Sequence, residues 1–340
     1  MRAPLSRSAW RLIRQVIVCV VLFAAADQTL RVYARGNFIP TRKLAAAVRA
    51  GERCVVFSGG SDMQSALELA TVERFWQGEK APCLADLALG GTSPDVRFMA
   101  FREYLSAPRR PSALVIGFKG HDVMDERNLA PGYHLGNDAT VYEWGTLADL
   151  PLYYPRLSFA AFDNGFRFLL YKSSAIAAHR QTLWIRLDLL QQRLGLKPKV
   201  ATNALGNVEA FEEIERQLRT AALANQMMKN PAAYRLAVWP THLVEAARRA
   251  GSRVSFVRLP ATKASDRASF PDAAIERAFA AYMTRLAREH GGEFIDLSQE
   301  PWVDDALVVD GLHYSPRGAA LISQALGRAL GRSAPAPEPL

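Results

Sequence analysis

The sequence predicts an α/β protein: a three-layer α/β/α sandwich around a mainly parallel five-stranded sheet, with a helical region inserted after the third strand. Three observations carry this expectation. Short apolar runs end at glycine or proline turns, and a helical pattern follows most of them. A third observation is that this rhythm stops over residues 126–235 and then resumes.

With 340 residues, 49% of them apolar, the chain can bury an ample core in one large or two ordinary domains. The net charge of +9 comes mostly from arginines scattered along the chain, without a basic block interleaved with aromatics. Nucleic-acid binding is therefore not expected, whereas a basic surface suits anionic membranes or acidic glycans. Three cysteines make no disulfide framework. Cys54 and Cys83 fall in candidate strands and can pair only if those strands are neighbours, so two buried thiols are the expectation. Their spacing is not that of a zinc site, and neither metal nor organic cofactor is implied.

Residues 1–30 read as lying outside the folded domain. Arg2, Arg7, Arg11 and Arg14 precede the apolar run Val16–Ala26, which ends in Ala24-Ala25-Ala26. A basic start, an apolar segment and small residues at its end describe a signal peptide. The run is short for a spanning helix of ~20 residues, although Trp10, Ile13 and Arg14 can extend it into a membrane anchor. Export to the periplasmic side is expected, either inner-membrane anchored or secreted after cleavage near Ala26, with Asp27 as the new N-terminus.

The α/β domain is expected over 40–332. Residues 40–52 read as a linking helix. Arg53–Phe57 is a first strand, Ser58-Gly59-Gly60-Ser61 a turn, and Ala66, Leu67 and Ala70 begin a helix. Leu84–Leu89 is a second strand ending at Gly90-Gly91, after which Ser93 and Pro94 suit a helix cap and first position. Ala113–Phe118 is a third strand ending at Lys119-Gly120-His121-Asp122. The insertion holds aromatic turns (Tyr142, Trp144, Tyr153, Tyr154) and helical stretches near Phe159–Leu194 and Val208–Met228. Its aromatics suit packing or a carbohydrate groove. A helix over Thr241–Ala250, a stop at Gly251 and strand Arg253–Leu259 follow. Pro271 opens a helix with Ile275, Phe279, Met283 and Leu286 on one face, Gly291-Gly292 stops it, and Glu293–Leu297 is the fifth strand. Residues 333–340, rich in proline, read as a disordered tail.

In parallel sheets, ligands bind at the carboxyl ends of the strands. That rule gathers Ser61, Gly90-Gly91 and the Lys119–Asp122 turn along one edge. Asp310-Gly311-Leu312-His313 follows the fifth strand and can reach the same edge. Behind it Ser315 and Pro316 suit a helix start, and Ala319, Ile322, Leu326 and Leu330 form a helical face that anchors the loop. A strand-tip serine becomes a nucleophile if a histidine takes its proton and a carboxylate orients that histidine. Glycine N–H groups can approach a developing oxyanion. The plainer alternatives are a turn serine at Ser61 and an acidic turn with a packed histidine at 310–313.

The order and setting of these pieces resemble the SGNH (GDSL-type) hydrolases. Val55-Val56-Phe57-Ser58-Gly59-Gly60-Ser61 is similar to their first block, and Leu87-Ala88-Leu89-Gly90-Gly91-Thr92-Ser93 to their second. Asp310 to Gly318 resembles their last block. The resemblance implies Ser61 as nucleophile, His313 as general base, Asp310 as its orienter, and Gly91 in the oxyanion hole. Two departures stand out. Gly60 replaces the aspartate of Gly-Asp-Ser, and Lys119-Gly120-His121-Asp122 replaces Gly-x-Asn-Asp, so His121 or a backbone N–H must take the asparagine's place. The leader and the insertion resemble the exported, membrane-tethered branch. That implies action on an acylated cell-surface polysaccharide, beside a membrane-bound O-acyltransferase. A non-catalytic module of the same fold and a purely structural envelope protein are the alternatives.

Overall fold

The computed structural model of the protein describes residues 7–37, 42–43, 54–77, 82–90, 94–105, 111–120, 144–149, 159–197, 239–270, 272–309 and 313–332. Among them, five strands form one sheet: β1 (Val55–Ser58), β2 (Leu84–Asp86), β3 (Ala113–Phe118), β4 (Arg253–Arg258) and β5 (Phe294–Asp296). Their order is β2-β1-β3-β4-β5 and every pairing is parallel. This is the doubly wound arrangement whose order reverses beside β1.

Both sheet faces are buried, which is why the strands read as continuous apolar runs. Val56, Leu114, Ile116, Val254 and Phe256 point into one core with α4 (Pro94–Leu105), α7 (Trp239–Arg249) and α9 (Ala273–Arg288). Val55, Phe57, Val115, Val257 and Ile295 point into the other, with α2 (Ser61–Ala66), α3 (Leu69–Arg74) and α10 (Pro316–Arg332). The period of two in a strand sends alternate residues to opposite layers.

Several expected starts and stops are present. Ser315 caps α10, its hydroxyl accepting from the Gly318 N–H at 3.2 Å, and Ala319, Ile322, Leu326 and Leu330 are all buried. Gly251 and Gly291 adopt φ of 70° and 69°, the left-handed conformation that ends a helix. Asp272 is the N-cap of α9 and accepts from the Ala274 N–H. One helix was not expected: α8 (Lys263–Ser269), started by Thr262 and the Ser265 N–H.

Two expectations change. Cys54 and Cys83 form a disulfide where two thiols were expected. Parallel pairing of Val55 with Leu84 puts the preceding cysteines side by side, with Cα atoms 4.4 Å apart. The leader is also more than a detached segment. Residues Arg7–Asn37 form one helix, α1, continuous through Ala24–Ala26, and its stretch Trp10–Tyr33 is long and apolar enough to cross a membrane. A signal segment and a membrane anchor both fit that helix. Asp27 is buried against the N-terminus of α6 (Ala175–Arg193), so α1 is packed onto the rest of the chain.

Between β3 and β4 lie α5 (Phe159–Ser173) and α6, joined by Ser174. Phe168, Tyr171 and Ala178 pack with Leu89, Met99, Ala100 and Trp144 in a third cluster, which seats the helix pair against α4. Trp144 is thus a packing residue. The linking helix beyond residues 42–43, the helix expected at Val208–Met228, Tyr142, Tyr153, Tyr154, Pro271 and the tail 333–340 lie outside the described residues.

Candidate active site

β1 runs straight into the first turn of α2, and glycines make the turn possible. A Cβ on Gly59 would stand 2.3 Å from the Met63 Cβ and 2.8 Å from the Gly117 carbonyl, and one on Gly117 would stand 2.4 Å from the Met63 sulfur. Met63 therefore fills the crease between the ends of β1 and β3. It pins the start of α2 to the carboxyl edge of the sheet. Ser61 is the first residue of that helix and is half-buried.

Gly60, where the family pattern has aspartate, sits against a guanidinium. A Cβ there would lie 2.6 Å from the Arg97 Nη2 and 2.7 Å from the Asp62 Oδ1. Arg97 projects from α4, so the helix after the second glycine pair fills the space that a side chain at 60 would need. Sequence reading gave Arg97 no role; helical spacing alone does not tell which face meets the turn.

The second segment arrives beside Ser61 through backbone pairing. The Leu87 N–H donates to the Phe57 carbonyl at 2.7 Å and the Leu89 N–H to the Gly59 carbonyl at 2.9 Å, extending the β1–β2 pairing past the strand ends. Gly90 then lies against α2: a Cβ on it would be 3.4 Å from the Ser61 Cβ. Its N–H donates to the Gln64 side-chain carbonyl at 3.1 Å. That N–H is thereby committed, and Gly91, assigned to the oxyanion hole from sequence, lies outside the described residues. Gln64 is a further residue that sequence reading passed over.

His313 is buried and belongs to a loop tied at several points. The Val309 N–H donates to the His313 carbonyl at 2.8 Å, the Ser315 N–H to the Leu307 carbonyl at 2.9 Å, and Val308 bridges Tyr314 in antiparallel fashion. The Tyr314 hydroxyl donates to the Pro260 carbonyl just after β4. The Tyr314 N–H donates to the Ser65 hydroxyl at 3.1 Å, and that hydroxyl donates to the Asp62 carbonyl at 2.9 Å. Ser65 is one helical turn from Ser61, on the same side of α2. The histidine loop and the serine helix are thus joined by a direct hydrogen bond. Gly318 lets α10 close on the loop, since a Cβ would stand 2.6 Å from the Leu307 carbonyl. Asp310 lies outside the described residues.

The third segment contributes Lys119 and Gly120. Lys119 is buried, and its ammonium stands 4.7 Å from the centre of the Tyr314 ring. A Cβ on Gly120 would lie 2.5 Å from the Phe270 ring and 2.7 Å from the Ser269 Cβ, so α8 packs directly on this turn. His121 and Asp122 lie outside the described residues.

Beside these loops, β4 ends in a fully buried arginine. Arg258 donates to both Asp266 oxygens at 2.8 and 3.0 Å, to Glu276 at 2.7 Å and to Asp296 at 3.2 Å, with its guanidinium 4.4 Å from the Phe270 ring centre. Burial raises the Asp266 carboxyl above its ordinary range, against the pull of the guanidinium; Glu276 and Asp296 add to the rise. Desolvation disfavours the Arg258 cation, yet the carboxylates, Asp266 first, hold it more firmly protonated than usual. The cluster joins β4, β5, α8 and α9 and steadies the Pro260 end of the site. Among the described residues, no group of histidine, cysteine and carboxylate side chains could hold a metal.

No protein-family model matches the sequence, and no curated protein matches it. Among solved structures the chain is similar to one described as a "putative acylhydrolase" from Bacteroides fragilis NCTC 9343. Identity is 13%, the TM-score is 0.37, and the match covers 83% of this chain and 88% of that one. A likeness of that size carries no argument about chemistry, which rests on the site alone.

Proposed function

We propose that the chain is an exported serine esterase or O-acyltransferase of SGNH type, acting on acyl esters of a cell-surface polysaccharide through an acyl-Ser61 intermediate. One observation carries the reading: the histidine loop is hydrogen-bonded onto the helix that Ser61 opens, through Tyr314 and Ser65. The Ser61 hydroxyl would attack the ester carbonyl as His313 takes its proton, and His313 would return that proton to the leaving alkoxide. Water or a sugar hydroxyl would then attack the acyl-enzyme, again losing its proton to His313. Asp310 is assigned the orienting of the imidazole, and Gly91 and His121 the binding of the oxyanion.

Export is supported by the arginines before α1, by its apolar stretch, and by the Cys54–Cys83 disulfide, a bond that persists outside a reducing cytosol. Retention of α1 as an anchor is the form of that reading we favour, because Asp27, which would be the N-terminus after cleavage, is buried in a helix contact. A membrane-bound O-acyltransferase is the partner that the family resemblance implies.

A second reading is a non-catalytic module that binds the polysaccharide or supports such an acyltransferase. Lys119-Gly120-His121-Asp122 in place of Gly-x-Asn-Asp favours it. Stopped-flow assay with an activated aryl acetate separates the two. A burst of phenolate equal to the enzyme concentration, absent in Ser61→Ala, supports acyl-enzyme chemistry; release at the buffer rate supports the module. Faster turnover with an added glycan acceptor marks transfer over hydrolysis.

A further inference from the structure

We infer that Lys119 is a positioning residue for His313: its ammonium holds the ring of Tyr314 and so fixes the loop that carries the general base. The inference rests on the reading of Ser61 and His313 as a catalytic pair, a mechanism in which Lys119 has no task of its own. Lys119 is 1% exposed. A lysine is seldom buried to that degree, because its ammonium gives up water and its new surroundings have to make good the loss. The Tyr314 ring is part of those surroundings, with its centre 4.7 Å from the ammonium. The face of a tyrosine ring carries negative potential, and its pull on a cation is stronger where water is excluded. Tyr314 is buried too, so the contact is made in the interior.

The sheet puts the two partners together. On β3, Ala113 and Val115 face the layer of α2 and α10, Gly117 meets Met63 there, and Phe118 faces the opposite core. The period of two sends the next side chain, Lys119, toward α2 and α10, where Tyr314 lies. The backbone on either side of Lys119 is fixed. The Leu259 N–H donates to the Phe118 carbonyl at 2.8 Å, and α8 packs on Gly120. Arg258, in register with Phe118, goes to the other layer, against Phe270, where Asp266, Glu276 and Asp296 share its charge. Tyr314 is held at one end by its N–H, on the Ser65 hydroxyl, and at the other by its hydroxyl, on the Pro260 carbonyl. Those two bonds do not set the turn of the ring about its long axis; a cation above one face does. His313 comes just before Tyr314, and its carbonyl accepts from the Val309 N–H, so the peptide unit between them is bonded on both sides. A shift of the ring therefore reaches the imidazole through one residue of backbone. A general base has to stand within hydrogen-bond reach of the proton it takes, and a misplacement of about 1 Å costs heavily in rate.

The test is burst and steady-state kinetics of the full chain on an activated aryl acetate, with far-ultraviolet circular dichroism to confirm that each variant is folded. Lys119→Met keeps the length of the stem without the charge, and Tyr314→Leu removes the ring. Each should lower kcat about 10-fold or more with KM little changed, the mark of a displaced base and not of lost substrate binding. The double variant should be little worse than either alone, because both changes remove one contact. Folded Lys119→Met with the kcat of the unsubstituted chain overturns the inference, and so do single losses that multiply in the double variant. If Lys119→Met does not fold, Tyr314→Phe decides against Tyr314→Leu: phenylalanine keeps the face that the ammonium meets and should retain most of the rate. Equal losses in those two overturn the inference. If the unsubstituted chain gives no burst, the catalytic-pair reading falls and this inference falls with it.

Discussion

At the scale of single residues, the site is shaped by side chains that are missing as much as by those present. Gly59 and Gly117 yield to Met63, Gly60 yields to Arg97, and Gly90 lies against Ser61. The asparagine of the family pattern has no counterpart, and His121 stands at its position. If the His121 imidazole holds the oxyanion, His121→Ala should lower kcat about 100-fold or more with KM little changed. Steady-state kinetics on an aryl ester measure this, and an unchanged kcat would leave Gly91 and the backbone at Ser61 to suffice. Arg258 supports the site from below. Arg258→Met should cost about 3 kcal/mol at neutral pH, because three carboxylates lose the cation they share. Asp266 already has a raised folded pKa, so its contribution is greatest below its unfolded value of ~3.9 and declines as pH rises through the folded one. Without the guanidinium that rise grows. The deficit of the variant should therefore shrink between pH 7.5 and pH 4.5 in denaturant melts; a deficit independent of pH would contradict the shared-cation account.

At the scale of elements, the sheet was legible because both its faces are buried and its strands read as uninterrupted apolar runs between glycine turns. The face of α10 was equally plain, since Ala319, Ile322, Leu326 and Leu330 keep one spacing behind a Ser-Pro start. What escaped depended on register or on distant partners. The cysteine pair needed the knowledge that β1 and β2 are neighbours with Val55 opposite Leu84. α8 has no apolar stripe; Thr262 starts it and the Arg258–Asp266 pair ties it down. Asp27 looked like the polar end of a leader because its partners at 174 and 176 are far along the chain. Of the candidate site, the meeting of the serine helix with the histidine loop followed from the strand-edge rule, whereas Gln64 and Arg97 gave no motif to find. The disulfide closes a separation of 29 residues, which in the chain-entropy view contributes about 3 kcal/mol or slightly more. Reduction, or the pair Cys54→Ala and Cys83→Ala, should lower the denaturation midpoint accordingly without altering the protein's far-ultraviolet circular dichroism. An unchanged midpoint would mean that the β1–β2 edge is held by its other contacts.

At the scale of the whole molecule, the sheet's carboxyl edge gathers segments that are far apart in sequence. Ser61 follows β1, Gly90 follows β2, Lys119 follows β3, Pro260 follows β4, and the His313 loop follows β5. On the proposed function, this convergence makes one nucleophilic centre at Ser61. Its most direct test is intact-mass analysis of the folded protein after treatment with a fluorophosphonate, with the adduct mapped by peptide sequencing. One adduct per chain is predicted, on Ser61, absent in Ser61→Ala and formed far more slowly in His313→Ala. In ester turnover, the double variant Ser61→Ala with His313→Ala should be little worse than either single variant, because the two residues act as a unit. An adduct on Ser58 or Ser65 would contradict the assignment of the nucleophile, and no adduct on any serine would contradict the catalytic reading itself.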